Sequence, residues 1–268
     1  MSAVSGAGSR EDQRRWMETP NGARLYNWLL GDVENMRADR VAAQALEQVA
    51  PWLRTAALIN RDFAQRSVSF AVAAGVRQFL DLGCGYPVRR GENTHEIAQG
   101  CRVVYVDHDW CVCAHARTTL ENGPREYVVR ADLRDMKNLL ASPEVCKAID
   151  LREPVAVGLH DVLPWITDDD AVEEALGVLR EWMPHGSLLS LTHFTDHWHP
   201  DTIDTVVGTY AVHQLDLRPR SWEKIGALFG DFTGPGIAEP HLWYPGSEFR
   251  DHPPEHAAAF AGIARKVA

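Results

Sequence analysis

The 268-residue chain is expected to fold as an α/β protein, with a mostly parallel sheet of seven strands and a helical segment in front of it. Three observations predict this. After Gly75, short β-branched runs alternate with helix-length stretches, the pattern of a parallel sheet whose crossovers are helices. The first run, Phe79-Leu80-Asp81-Leu82, enters a glycine turn, Gly83-Cys84-Gly85. The first three runs carry aspartates at or just beyond their carboxyl ends: Asp81, Asp107 and Asp132.

In chain order, residues 1–18 are Ser/Gly/Ala-rich and then charged, and read as a disordered lead. Residues 19–74 read as a helical lid. From Thr19-Pro20-Asn21 onward, Leu25, Trp28 and Leu29 recur at helical spacing until Gly31 interrupts. A second helix covers Arg37 to Val49 and stops at Pro51, and a third runs over 51–74 to Gly75, a left-handed cap. Such a block serves as a lid or as an oligomerisation surface, the latter implying a homodimer. The domain proper spans 75–245. Its strands are expected at Gln78–Leu82, Arg102–Asp107, Glu126–Arg130, 154–159 and 187–192, with helices at 94–99, 109–121, 134–141 and 168–183 between them. Helices at 202–214 and 221–229 lead to a final strand pair between 231 and 244, which brings the sheet to seven. The tail, 246–268, carries Pro253-Pro254 and an Ala-rich stretch read as helical.

Composition narrows the function. The chain has 37 acidic against 27 basic residues, a formal charge of −10. Such a surface repels a phosphate backbone at long range, so no nucleic-acid partner is expected. Five cysteines, odd in number and irregularly spaced, suit a reducing cytoplasm rather than a secreted disulfide scaffold. No window approaches the roughly 18 apolar residues of a membrane span, and the first residues lack the apolar core of a signal peptide. The expected setting is cytoplasmic, off the membrane, with a small molecule as partner.

The chemistry concentrates at the strand ends. Glycines at 83 and 85 let backbone approach a ligand closely. The dinucleotide fingerprint G-x-G-x-x-G is half present, because Val88 stands where the third glycine would be, which weakens a pyrophosphate reading. Asp107, at the end of the second strand, is placed to accept from both hydroxyls of a ribose. Asp132 can take the exocyclic amine of an adenine, with Leu133 against the ring face, and His108 falls in the same pocket. Three acidic residues at three consecutive strand ends describe a site for an adenosine-type ligand.

These features resemble the class I S-adenosylmethionine-dependent methyltransferases, and more closely the actinobacterial S-adenosyl methyltransferase family formerly classed as a domain of unknown function. The resemblance is carried by residues 20–31 (Pro-Asn-Gly-Ala-Arg-Leu-Tyr-Asn-Trp-Leu-Leu-Gly), by Asn35, Ala38-Asp39-Arg40 and Asn60-Arg61-Asp62-Phe63, and by residues 78–87 and 93–99. It continues through Val103 to Asp107, Ala131 to Asp135, Gly186 to His193 and Glu239-Pro240. It implies a Rossmann-like sheet with S-adenosyl-L-methionine as cofactor, its methionine part cradled by Asp81, Gly83 and Gly85, its ribose by Asp107 and its adenine by Asp132 and Leu133. Arg24 and Tyr26 would close over it. The chain departs from the family pattern at Leu163-Pro164-Trp165, where Leu-His-Phe is usual, and by the insertion Val88-Arg89-Arg90-Gly91-Glu92.

The implied reaction is methyl transfer to a small-molecule acceptor, a natural product by the family's company. It needs nucleophile and methyl held about 3–3.5 Å apart and in line, and a base only where the acceptor is protonated. The candidates for contact with the reacting groups are His160 and Asp161 after the fourth strand, His193 on the fifth, and Tyr26 on the helical segment, with His160 also facing the cofactor. Because Pro164 replaces a usual histidine, a cyclase or lyase that consumes the cofactor is an alternative, as is a non-catalytic binder. His193, His197 and His199 lack an acidic or cysteine partner at a metal-site spacing, so no metal is expected.

Overall fold

The structure, a computed structural model, describes residues 10–88, 91–243 and 246–267. Residues 1–9 of the expected lead, Arg89 and Arg90 of the insertion, and Tyr244 and Pro245 at the end of the expected domain lie outside the described residues. The rest of the lead, expected to be disordered, forms helix α1 (Arg10–Glu18). Then come α2 (Gly22–Leu29), α3 (Arg37–Val49) and α4 (Leu53–Ala73), closed by Gly75 at φ +90° as its sequence position predicts.

The sheet follows as β1 (Gln78–Leu82), α5 (Thr94–Ile97), β2 (Arg102–Asp107), α6 (Trp110–Thr119) and β3 (Glu126–Arg130). After it run α7 (Met136–Leu140), α8 (Pro143–Ala148), β4 (Ala156–His160), α9 (Asp169–Trp182), β5 (Leu188–Phe194), α10 (Ile203–Val212), α11 (Trp222–Ala227) and β6 (Ala259–Arg265). The first three strands begin and end where the alternation places them. The helix expected over 134–141 is instead a 3₁₀ turn, Leu133–Asp135, followed by α7. Polar side chains cap the helices at the site: Asn21 accepts from Arg24 N–H at 3.1 Å, and Asp109 from Cys111 and Val112 N–H at 2.6 and 3.2 Å.

The strand order is β3-β2-β1-β4-β5-β6, parallel from β3 to β5, with β6 antiparallel to β5. The sheet has six strands, not seven, and two expectations fail together. The Ala-rich tail is strand β6, not a helix, and the expected strand pair over 231–243 is an irregular segment beside it. Alanine favours helices in isolation, but here its small size is what counts. Ala261 is fully buried, and a Cβ on Gly262 would come within 2.9 Å of Phe229. The segment alongside makes two isolated bridges, Thr233 to Arg265 and Ala238 to Ala261. Between them Gly234, Pro235 and Gly236 interrupt the ladder: proline has no N–H to donate, and Gly236 sits at φ +96°.

Reversal of strand order between β1 and β4 opens a crevice at the carboxyl ends of the strands, where open α/β sheets bind ligands. Helices α2 and α4 border that crevice. Helix α4 is part of the sheet's own core, its Phe63, Val68 and Ala71 packing with Phe79, Val103 and Tyr105. Helices α2 and α3 form a second core with α10 through Leu25, Leu29, Leu46, Val206 and Tyr210.

A buried ion pair ties this block together. Arg24 Nε donates to Asp39 Oδ2 at 2.7 Å, both side chains almost fully enclosed. The same carboxylate accepts from Asn21 N–H at 2.8 Å and Met36 N–H at 2.7 Å, while Arg24 Nη2 reaches the carbonyls of Trp16 and Thr19. Removing one charge strands the other in a low-dielectric site, which costs about 3–5 kcal/mol. Asp39→Asn is therefore expected to lower stability in urea unfolding by about 3–5 kcal/mol; a loss under about 1 kcal/mol would show that the pair does not hold the block.

Candidate functional site

Where β1, β2, β3 and β4 end, and α2 and α4 cover them, lies a cavity of about 500 Å³. Its size falls in the usual range for a small-molecule site. One end is built on the glycine turn. Gly83 and Gly85 both have positive φ, +73° and +64°. A Cβ on Gly83 would come within 2.3 Å of Val162, so that position excludes a side chain twice over, by backbone and by space. The turn keeps pairing with β2, Gly83 and Cys84 N–H both donating to Val106 O, and Asp107 Oδ2 accepts from Gly85 N–H at 3.1 Å. Asp107 Oδ1 takes Asp109 N–H at 2.9 Å. Burial pushes the Asp107 and Asp81 carboxyls up from their ordinary range. Asp81 Oδ2 also accepts from the Thr94 hydroxyl at 2.7 Å.

Beyond β3, Leu133 is buried against the wall, while Asp132 is forked by Arg134, whose hydrogen bonds pull its carboxyl below the usual range. His108 borders the cavity with its side chain mostly in solvent.

The other end is formed by β4, the turn after it, and the helices. His160 directs Nε2 at Ser67 Oγ (3.2 Å) and Ser190 Oγ (2.9 Å), with its ring edge-on to Phe63. Ser67 gives its own proton to Ala64 O, so toward His160 it can only accept, which places hydrogen on Nε2 and leaves Nδ1 the basic nitrogen. Burial, with the Arg61 charge added, holds this imidazole down to about 3. It is neutral at physiological pH and a poor acceptor for a substrate proton.

Asp161 has φ +57°, a conformation that costs a non-glycine residue on the order of 1–3 kcal/mol and persists only where surroundings enforce it. Its Oδ1 accepts from Phe194 N–H at 3.2 Å, and burial raises its carboxyl to about 7. Tyr26 lines the same wall, its hydroxyl donating to Ala57 O at 3.1 Å and accepting from Asn60 Nδ2 at 2.7 Å.

Of the residues singled out from sequence, Tyr26, Asp81, Gly83, Gly85, Asp107, His108, Asp132, Leu133, His160 and Asp161 border this one cavity. Arg24 and His193 do not. Arg24 is turned to Asp39 and to the carbonyls of Trp16 and Thr19, and His193 is enclosed inside β5, with Nδ1 toward Phe194 O at 2.7 Å and Nε2 accepting from Arg220 at 2.8 Å. His197 and His199 go to other partners, rings of Trp198 and Phe260 for one and Trp52 for the other. Among the described residues no group of three potential metal ligands converges.

Sequence reasoning assigned no role to Arg61, which lines the cavity from α4. Its Nη2 donates to Glu92 O at 2.8 Å, but its Nε is buried with no hydrogen-bond partner. The signal available was a run of polar residues, Asn60 and Ser67, on the stripe of α4 that also carries Phe63, Ala64, Val68 and Ala71. Pro164 does not border the cavity, which is lined there by Val162, Trp165 and Ile166.

A family described as S-adenosyl methyltransferase matches residues 9–267. Two solved structures are similar over nearly the whole chain. A protein from Thermobifida fusca YX, provisionally named a methyltransferase, is 35% identical, with TM-score 0.86 over 94% of this chain and 96% of that one. A DUF574 family protein from Streptomyces avermitilis MA-4680 is 33% identical, with TM-score 0.87 over 93% of this chain and 98% of that one. Comparison with curated proteins gives no significant match.

Asp161 gives the site a pH signature. Its folded carboxyl holds a proton to about pH 7, while the unfolded one releases it near 3.9. The folded state thus binds more protons between those values, and stability contributed by Asp161 is present below about pH 4 and lost as pH rises through about 7. His160 and His193, held low, act in the opposite sense, so the difference from a variant isolates Asp161. Asp161→Asn keeps the acceptor for Phe194 N–H and removes the titration. Its stability relative to wild type should rise by about 2–4 kcal/mol from pH 4 to pH 8; a difference constant across that range would refute the assignment.

Proposed function

The chain belongs to the S-adenosyl methyltransferase family and is an S-adenosylmethionine-dependent methyltransferase, and we propose that the cavity under α2 and α4 is where it methylates a small-molecule acceptor. The observation that carries the placement is Arg61. A buried guanidinium nitrogen without a partner costs free energy unless an acceptor arrives, and the α-carboxylate of the cofactor is such an acceptor. Asp81, across the glycine turn, complements it by accepting from the α-ammonium. Gly83 and Gly85 leave room for the chain between, Asp107 takes the ribose hydroxyls, and Leu133 lies against the adenine with Asp132 at its edge.

The cofactor supplies a methyl group on a positively charged sulfur. What the protein adds is position: neutral His160 and its two serines shape the wall, and Tyr26, Asn60 and Trp165 bound the space left for an acceptor. The helical segment serves as the lid over that space. The departure at Pro164 removes nothing from the cavity lining, and membership in a methyltransferase family does not favour a cyclase, a lyase or a non-catalytic binder. Among the described residues no helix is long and apolar enough to cross a membrane.

Calorimetric titration tests the placement. Arg61→Gln and Asp107→Ala should each weaken S-adenosylmethionine binding about 10- to 100-fold, the worth of a charge-assisted hydrogen bond, while His193→Gln, outside the cavity, leaves the affinity of whatever fraction folds within about twofold. Unchanged affinity in both cavity variants would remove the pocket assignment.

A further inference from the structure

The acceptor end of the cavity presents a carboxylate that nothing in the protein neutralises. Asp161 Oδ1 has the Phe194 N–H, but Oδ2 receives no hydrogen bond and no Lys, Arg or His forms a salt bridge with it among the described residues. Tyr26 from α2 and Tyr210 from α10, both phenols raised by burial and by the Asp161 charge, and His160 from β4 surround it as neutral groups, and the other carboxylate bordering this end is Asp216, beside Leu215. The basic residue of this wall, Arg61, lies near Asp81, His160 and Tyr26, and its charge does not bear on Asp161. A second strained residue, Gln214 at φ +61°, borders the same space, and Trp165, Ile166 and Leu215 supply its apolar surface. Trp165 is fixed by Tyr210, edge-on at 5.7 Å, and by Gly22, where a Cβ would come within 3.2 Å of the indole.

Resting on the methyltransferase reading above, we propose that the acceptor is an amine on an apolar frame, with Asp161 Oδ2 receiving its N–H and the frame lying against Trp165, Ile166 and Leu215. An alcohol or thiol would leave the carboxylate without a cation, and a carboxylate acceptor would be repelled by it. The protons and charges balance. The ammonium gives one proton to Asp161 and so frees its lone pair. That pair forms the N–CH₃ bond as the methyl–sulfur bond breaks, and the electrons of the broken bond stay on sulfur. The methylated ammonium leaves carrying its proton, and Asp161 returns the one it took to water. A carboxyl lifted to about 7 makes the first transfer less uphill than an ordinary aspartate would.

The test is a titration of probes that differ in one group. Tryptamine, tryptophol and indole-3-acetate, and the same three groups on a phenyl frame (phenethylamine, 2-phenylethanol and phenylacetate), are titrated into protein saturated with S-adenosylhomocysteine. The amines should bind at least 10-fold tighter than the alcohols and carboxylates of the same frame. Asp161→Asn should abolish that preference with S-adenosylhomocysteine affinity within twofold of wild type, which also shows that the variant is folded. Amines binding no tighter than their alcohols, or an amine preference that survives Asp161→Asn, would overturn the proposal. Failure of the wild-type protein to bind S-adenosylhomocysteine would instead overturn the methyltransferase placement and the proposal with it.

Discussion

The Asp107 carboxylate joins the end of β2 to the turn that leaves β1, and the site depends on that bridge. One oxygen takes Gly85 N–H and the other Asp109 N–H, so a single buried side chain sets the glycine turn and the start of α6. The turn can lie that close only because positions 83 and 85 carry no Cβ and adopt positive φ. Val162, pressed against Gly83, carries the constraint across to the turn after β4, and the residue before it, Asp161, is held left-handed. A backbone arrangement with few alternatives therefore fixes both ends of the cavity, one lined by Asp81, Asp107 and Arg61, the other by Asp161, Trp165 and Leu215.

The helical block supplies the other half. Its residues that carry the family resemblance are mostly structural. Arg24 and Asp39 make the enclosed ion pair, and Asn35 bridges Asn27 and Arg40. Their effect is to hold Pro20 to Ala23 at the rim of the cavity and Tyr26 inside it. Of the polar residues that this block puts at the wall, Asn21, Tyr26, Asn60, Arg61, Gln65 and Ser67, it is Arg61 that keeps a buried nitrogen without a partner.

Much of this was legible in the sequence. Buried parallel strands read as apolar runs because both faces are covered, so β1 to β3 were placed to the residue, and the acidic strand ends followed from the topology. The tail was not legible. Ala259 to Arg265 is rich in alanine, a helix former, and becomes a strand because it pairs along β5 and buries Phe260 and Ile263 together with its alanines, a tertiary constraint invisible to local propensity. The surroundings of the histidines were not legible either: the His193 side chain faces into the protein and takes Arg220, while His160, which borders the cavity, points at two hydroxyls far away in sequence. Arg61 went unassigned because a basic residue on a long helix reads as solvent-facing until the fold turns it inward.

All of this requires one ligand in one orientation. The most direct measurement is a crystal structure of the protein with S-adenosylhomocysteine. The ribose should lie within hydrogen-bond reach of Asp107, the adenine against Leu133, the α-carboxylate on Arg61, and the sulfur facing the space bounded by Tyr26, Asp161 and Trp165. A ligand bound elsewhere, or reversed so that its amino-acid end meets Asp132, would contradict it.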